Sequence, residues 1–175
     1  PTFMDDPAVT DNAYFDPEGV EMHLGVGSGL PNGLNKNIDF DLGVGWHEAG
    51  HYVVYIQAPG KDLPGSEGGA GHEASGDYCD LLMDFWFRLI YGKTMGTELT
   101  KDEVAKDPRI IGVYALPPDG IRKQKNTKRT PRDKTGEVHD DGEIVGGAMA
   151  DVLVGLSTRA DVSLEDSLTY AGKLF

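Results

Sequence analysis

The chain is short of cysteine, of tryptophan, of long apolar runs and of positive charge, and each shortage closes off a class of protein. Its one cysteine, Cys79, excludes an internal disulfide and leaves the redox compartment open. No window approaches the ~18 consecutive apolar residues of a membrane span, and the opening "PTFMDDPAVTDN" contains no signal-peptide apolar core. With 16 Lys and Arg against 29 Asp and Glu, the net charge of −13 denies the chain the positive footprint that phosphate contacts need, so nucleic acid is not expected as a partner. Basic residues do gather once, at Arg122, Lys123, Lys125, Lys128, Arg129, Arg132 and Lys134, but no aromatic residues interleave with them to stack bases. That stretch reads as a solvated loop.

What is present is enough for one domain. At 175 residues and 39% apolar composition, the chain can bury a substantial core, and no linker or internal repeat divides it. We read 1–175 as a single unit, with a strand and a helix pair in 1–92 and a loop followed by helices in 93–175. The chain starts without Met and finishes in the amphipathic run "SLTYAGKLF", which reads as a piece of a longer chain with a pro-segment or larger assembly around it.

Alternation of Val20, Met22, Leu24 and Val26 predicts a half-buried edge or near-edge strand within residues 12–27, followed by turn chemistry in "SGLPNGLNKN". A helix is expected over about 41–56, then a Gly/Pro loop in "QAPGKDLPGSEGGAG", then a long helix over about 70–91 with Ala74, Tyr78, Leu81, Leu82, Phe85 and Leu89 on one face. Thr100 and Glu103 form a capping-box signal for a short helix through Lys106. Residues 107–136 look irregular, and two more helices are expected over about 142–156 and from Leu164 onward, the latter capped by Ser163.

Within the first helix, "GVGWHEAGHYVV" sets His47 and His51 four apart with Glu48 directly after the first. At that spacing both imidazoles share a helix face and can reach one ion, Zn²⁺ being the dication that suits them. A carboxylate close to such an ion but not bound to it can take a proton from water, which is the role open to Glu48. The bland alternative is two ordinary histidines on a buried helix. A third ligand separates the two readings, and Glu73, near the start of the long helix, is the expected one; His72, Glu67 and Asp77 are the alternatives. Asp77, one turn beyond Glu73, is placed to accept the free N–H of a ligand histidine. Gly50 costs a helix about 1 kcal/mol relative to alanine, which points to close packing beside the site.

His47-Glu48-x-x-His51 followed by Glu73-x-x-x-Asp77 resembles the gluzincin zinc metallopeptidases, the thermolysin and fungalysin families in particular. "NAYF", with Asn12 and Ala13, is similar to the segment in which those families bind substrate backbone. "DGIR", with Arg122, resembles a fungalysin segment that would hold a substrate carbonyl. "EVHDDGEIVGGAMADVL" is similar to the segment whose histidine, here His139, hydrogen-bonds the tetrahedral intermediate, with Asp133 or Glu137 to orient it.

The resemblance spans about residues 12–155. It implies an α+β, thermolysin-like catalytic domain with a partial helical C-terminal subdomain, hydrolysis of peptide bonds with Glu48 as general base, Zn²⁺ as cofactor, and a secreted or cell-surface location. The chain departs from the pattern at Trp46, in having no evident counterpart for the assisting tyrosine, and in its calcium-site segment. A Ca²⁺ requirement stays open, with Asp102, Glu103 and Asp107 as weak candidates. Two other readings stand beside it: a structural domain whose site is unused, and a zinc aminopeptidase, for which no acidic anchor is evident.

Overall fold

A computed structural model of the chain describes residues 2–29, 36–38, 41–58 and 65–174. The elements in order are β1 (Thr2–Thr10), β2 (Ala13–Asp16), β3 (Glu21–Val26), α1 (Leu42–Gln57), α2 (Gly65–Met95), α3 (Lys101–Lys106), β4 (Ile110–Ile111), β5 (Arg122–Lys123), α4 (Val138–Ser157) and α5 (Leu164–Leu174). This is a mixed α+β arrangement. The expected turn in "SGLPNGLNKN" and the middle of the Gly/Pro loop lie largely outside the described residues.

The single strand expected within 12–27 is two strands. Pro17, Glu18 and Gly19 turn the chain, so that β2 and β3 form an antiparallel hairpin with Phe15 opposite Met22 and Tyr14 opposite His23. The alternating strand β3 is central, with β1 parallel to it on one side and β2 at the other edge. β1 has no alternation to announce it; its register shifts between Asp6 and Thr10, and this irregular stretch contains Pro7, which cannot donate to a regular ladder. Met22 and Leu24 are buried, and Leu24, Ile38 and Val44 make a small core between the sheet and α1.

Asp41 starts α1 by accepting from the amides of Gly43 at 3.0 Å and Val44 at 3.3 Å, while its second oxygen accepts from Ala115 at 2.9 Å. α2 is 31 residues long, about 46 Å at 1.5 Å per residue. It begins five residues before the expected start and packs against α1 and α4. Its second half builds the main core: Phe85, Leu89, Leu153 and Leu168 are almost completely buried among Leu81, Leu82, Val104 and Leu164. The capping box at Thr100 and Glu103 is present at the head of α3. Ser163 Oγ accepts from the Asp166 amide at 3.0 Å to start α5.

α4 begins at Val138, a turn earlier than expected, because the Glu137 carboxylate caps it by accepting from the amides of His139 and Asp140 at 2.9 Å each. The stretch read as irregular holds the small β4–β5 ladder, in which Ile111 pairs with Arg122. Among the described residues no helix is long and apolar enough to cross a membrane.

Candidate metal centre

Helices α1 and α2 approach closely because two glycines face each other. A Cβ on Gly50 would lie 2.7 Å from the Gly76 Cα, and a Cβ on Gly76 would lie 2.5 Å from Cε1 of His47. With no side chain at either position, the His47 ring seats directly on the α2 backbone. It meets Asp77 Oδ1 through Nδ1 at 2.9 Å and Glu73 Oε2 through Nε2 at 3.3 Å. His51, one turn on, points Nε2 at the other oxygen of Glu73, 3.6 Å away. A Cβ on Gly142 would lie 2.8 Å from that of Glu73, so α4 closes against the same turn of α2.

The electrostatics separate the two histidines. Burial disfavours the charged form of His47, yet its hydrogen bonds to Asp77 and Glu73 outweigh that and raise its pKa to about 9. Burial and the neighbouring His47 charge push His51 the other way, to about 3, so its ring is neutral and carries a free lone pair. Glu73 is opposed by burial but held down to about 2 by His47, His51 and Arg122. Burial raises Glu48 above the usual carboxylate range. Glu48 Oε2 is buried and has no hydrogen-bond partner among the described residues.

These residues fit a dication. Ligand atoms about 2.0–2.1 Å from a tetrahedral ion lie about 3.4 Å apart, close to the 3.3 and 3.6 Å separations between the histidine nitrogens and Glu73. One ligand atom each from His47, Glu48 and His51 also falls within 4.8 Å of the others, so the Glu48 carboxylate stands at the same point from the other side. The proton on His47 Nε2 and a metal compete for one lone pair.

The other predicted residues fall around this centre. Asp77 is fully buried and meets the Arg122 guanidinium at 2.9 Å, while Arg122 Nη1 donates to Glu73 at 3.0 Å. Arg122 is therefore mostly buried in the site and not part of a solvated basic loop. The rest of that basic stretch is largely answered by carboxylates, as in Lys128–Glu143, Arg132–Asp133 and Lys134–Glu67. His139 sits in the first turn of α4, half-exposed, with Nε2 3.6 Å from Glu73 Oε1. Its Nδ1 meets Glu137 at 2.7 Å, while Asp133 turns to Arg132.

Asn12 and Ala13 line a cleft of about 580 Å³ together with Phe15, His47, Glu48, His51, Glu73, Arg122 and His139. The edge strand β2 forms one wall of it. Of the alternatives to Glu73, Glu67 is tied to Lys134, and His72 lies beside the His51 ring at 5.8 Å between centroids. Glu103 is committed to the Thr100 cap and Asp107 to Arg88; neither they nor Asp102 join a group of converging ligand atoms among the described residues.

Sequence reasoning missed Gln124. Its side chain is buried and donates through Nε2 to Asp77 Oδ2, the oxygen that His47 does not use. Gly146 leaves room for it, since a Cβ there would collide with its carbonyl oxygen. Gln124 follows Arg122 by two, the strand period, but a two-residue strand is too short for that period to be read in advance. No known protein family, curated protein or solved structure matches the chain.

Proposed function

We propose that this chain is a zinc-dependent endopeptidase of the thermolysin and fungalysin type, with His47, His51 and Glu73 as metal ligands. One observation carries the reading: a buried carboxylate with an unpartnered oxygen, Glu48, stands beside two histidines that face a common carboxylate at the base of an open cleft. A purely structural metal site has no use for such a base.

Zinc, when bound, would lower the pKa of water and polarise a carbonyl. Glu48, with its proton affinity raised by burial, would take a proton from a water in the cleft and return it to the leaving nitrogen. Asp77 fixes the His47 ring by accepting at Nδ1, and Gln124 fixes Asp77. Among the described residues no strand pairs with the outer edge of β2, which offers an extended peptide a strand to lie against, with the Phe15 amide turned to Glu48. His139, held by Glu137, offers Nε2 to the oxygen on which charge develops.

A second reading rests on Arg122, whose Nη2 lies 3.1 Å from both ring nitrogens of His47. A cation already placed there favours a structural ion-pair cluster that holds no metal. Elemental analysis and hydrolysis of an internally quenched peptide library decide between the two. The peptidase reading expects the zinc content to fall by one equivalent in His47→Ala/His51→Ala. It also expects Glu48→Gln to keep its zinc and lose at least about 100-fold in kcat. Equal zinc content in wild type and the double histidine variant would sink it.

A further inference from the structure

The face of the N-terminal sheet turned away from the α1 core carries a second group of converging ligand atoms. Alternation along β3 sends Met22 and Leu24 into the core and Glu21 and His23 to the opposite face. The hairpin register sets Asp16 directly across from Glu21. Like charges in that position destabilise a sheet, and among the described residues no Lys or Arg pairs with either carboxylate. Among the described residues the side-chain nitrogen given to the pair is His23 Nε2, 3.5 Å from Glu21 Oε2, and the Glu18 amide donates to Asp16 Oδ1 at 2.9 Å. Atoms of Asp16, Glu21 and His23 lie within 4.8 Å of one another.

The imidazole is oriented from both sides. Its Nδ1 meets Asp6 Oδ2 at 2.9 Å, and its face stacks on Tyr14 with ring centroids 4.6 Å apart and planes 5° from parallel. A carboxylate on Nδ1 leaves Nε2 as the lone-pair nitrogen, aimed at the two acids; this is the arrangement that metal-bound histidines adopt with a supporting carboxylate. Gly19, in the turn that closes the hairpin, keeps the approach open: a Cβ there would lie 3.1 Å from Glu21 Oε2 and 3.2 Å from Asp16 Oδ2.

We infer that Asp16, Glu21 and His23 bind a first-row transition-metal dication, with Zn²⁺ the fitting occupant, at a site separate from the cleft. One imidazole and two carboxylates supply a mixed nitrogen and oxygen donor set whose charge of −2 the ion cancels. The imidazole nitrogen selects against Ca²⁺ and Mg²⁺, which take oxygen ligands. Bound there, the ion ties β2 to β3 at the closed end of the hairpin. The strand it holds is the one whose residues 13–15 wall the cleft, so the site would stiffen that wall from behind. The inference does not depend on how the cleft is used.

The test is a zinc titration of the EDTA-stripped full chain by calorimetry, with elemental analysis after dialysis. Wild type is expected to take up two equivalents, and both His23→Ala and the near-isosteric Asp16→Asn/Glu21→Gln one. Asp6→Asn is expected to retain both equivalents with the second weakened by about 10–100-fold. Ca²⁺ at the same concentration is expected to leave the second equivalent in place. If the cleft binds no metal, the wild type takes up a single equivalent that persists in His47→Ala/His51→Ala and disappears in Asp16→Asn/Glu21→Gln. An unchanged zinc isotherm in Asp16→Asn/Glu21→Gln, with the far-ultraviolet spectrum of wild type, overturns the inference whatever the cleft does.

Discussion

The two halves of α2 are one continuous helix with opposite interiors. From Gly65 to Asp77 it is rich in glycine and carries Glu73 and Asp77 into a cluster of histidines and an arginine; from Tyr78 to Leu89 it buries Leu81, Leu82, Phe85 and Leu89 in a dry core. The first half brings its neighbours close by omitting side chains, the second by interlocking them. A site of paired charges gains little net stability from its own contacts, because desolvation offsets attraction. The apolar half therefore has to hold the helix in place for the polar half.

That division of labour can be broken most directly at Phe85. Phe85→Ala should lower stability by about 3–5 kcal/mol in urea denaturation, by a similar amount with and without zinc. A loss seen only in the zinc-loaded protein would mean that the core half is not independent of the site.

Gly76→Ala comes next in size. The added methyl meets the His47 ring, so the expected cost is about 1–3 kcal/mol in the same assay, with weaker zinc binding as the second readout. Unchanged zinc affinity would show that the ring is free to move away.

Gln124→Leu sharpens the comparison from within the polar half. It removes the support of Asp77 while keeping most of the volume, and should weaken zinc binding by about 10–100-fold, or about 1.4–2.8 kcal/mol. Stripped of metal, the variant should move its denaturation midpoint by less than the loaded protein does. Equal shifts would assign Gln124 to packing alone.

The smallest effect belongs to Asp80, at the boundary between the halves. Burial, with Asp84 and Asp77 nearby, raises its carboxyl to about 7 from an ordinary 3.8. The folded state then holds a proton that the unfolded state has released, so stability falls as pH rises from 3.8 through about 7, and the full cost is present above that. In EDTA at pH 8, Asp80→Asn should exceed wild type by on the order of 1 kcal/mol, and the gap should close by about pH 4. A difference independent of pH would refer the effect to packing.

The parts legible in the sequence were those written in local spacing. The i, i+4 histidines mark a helix face, Thr100 with Glu103 marks a cap, and the apolar period of 74–89 marks the buried stripe; all three are present as elements. The parts that were not legible depend on partners distant in the chain. β1 owes its strand to pairing with β3, Arg122 is brought to Glu73 by a two-residue ladder with Ile111, and Gln124 meets Asp77 across 47 positions. The early start of α4 turns on a capping glutamate, which is not among the favoured capping residues, so the signal there was weak.

The edge strand β2 has one further consequence. An edge strand with no partner strand among the described residues is, through its free backbone groups, a place where a second copy of the protein can add on and begin a filament. The excess of acidic residues that argued against nucleic acid at the outset acts here between copies: at a net charge of −13, molecules repel one another before their edges meet. Acidity on this scale is then a colloidal safeguard for a sheet whose edge strands are β1 and β2.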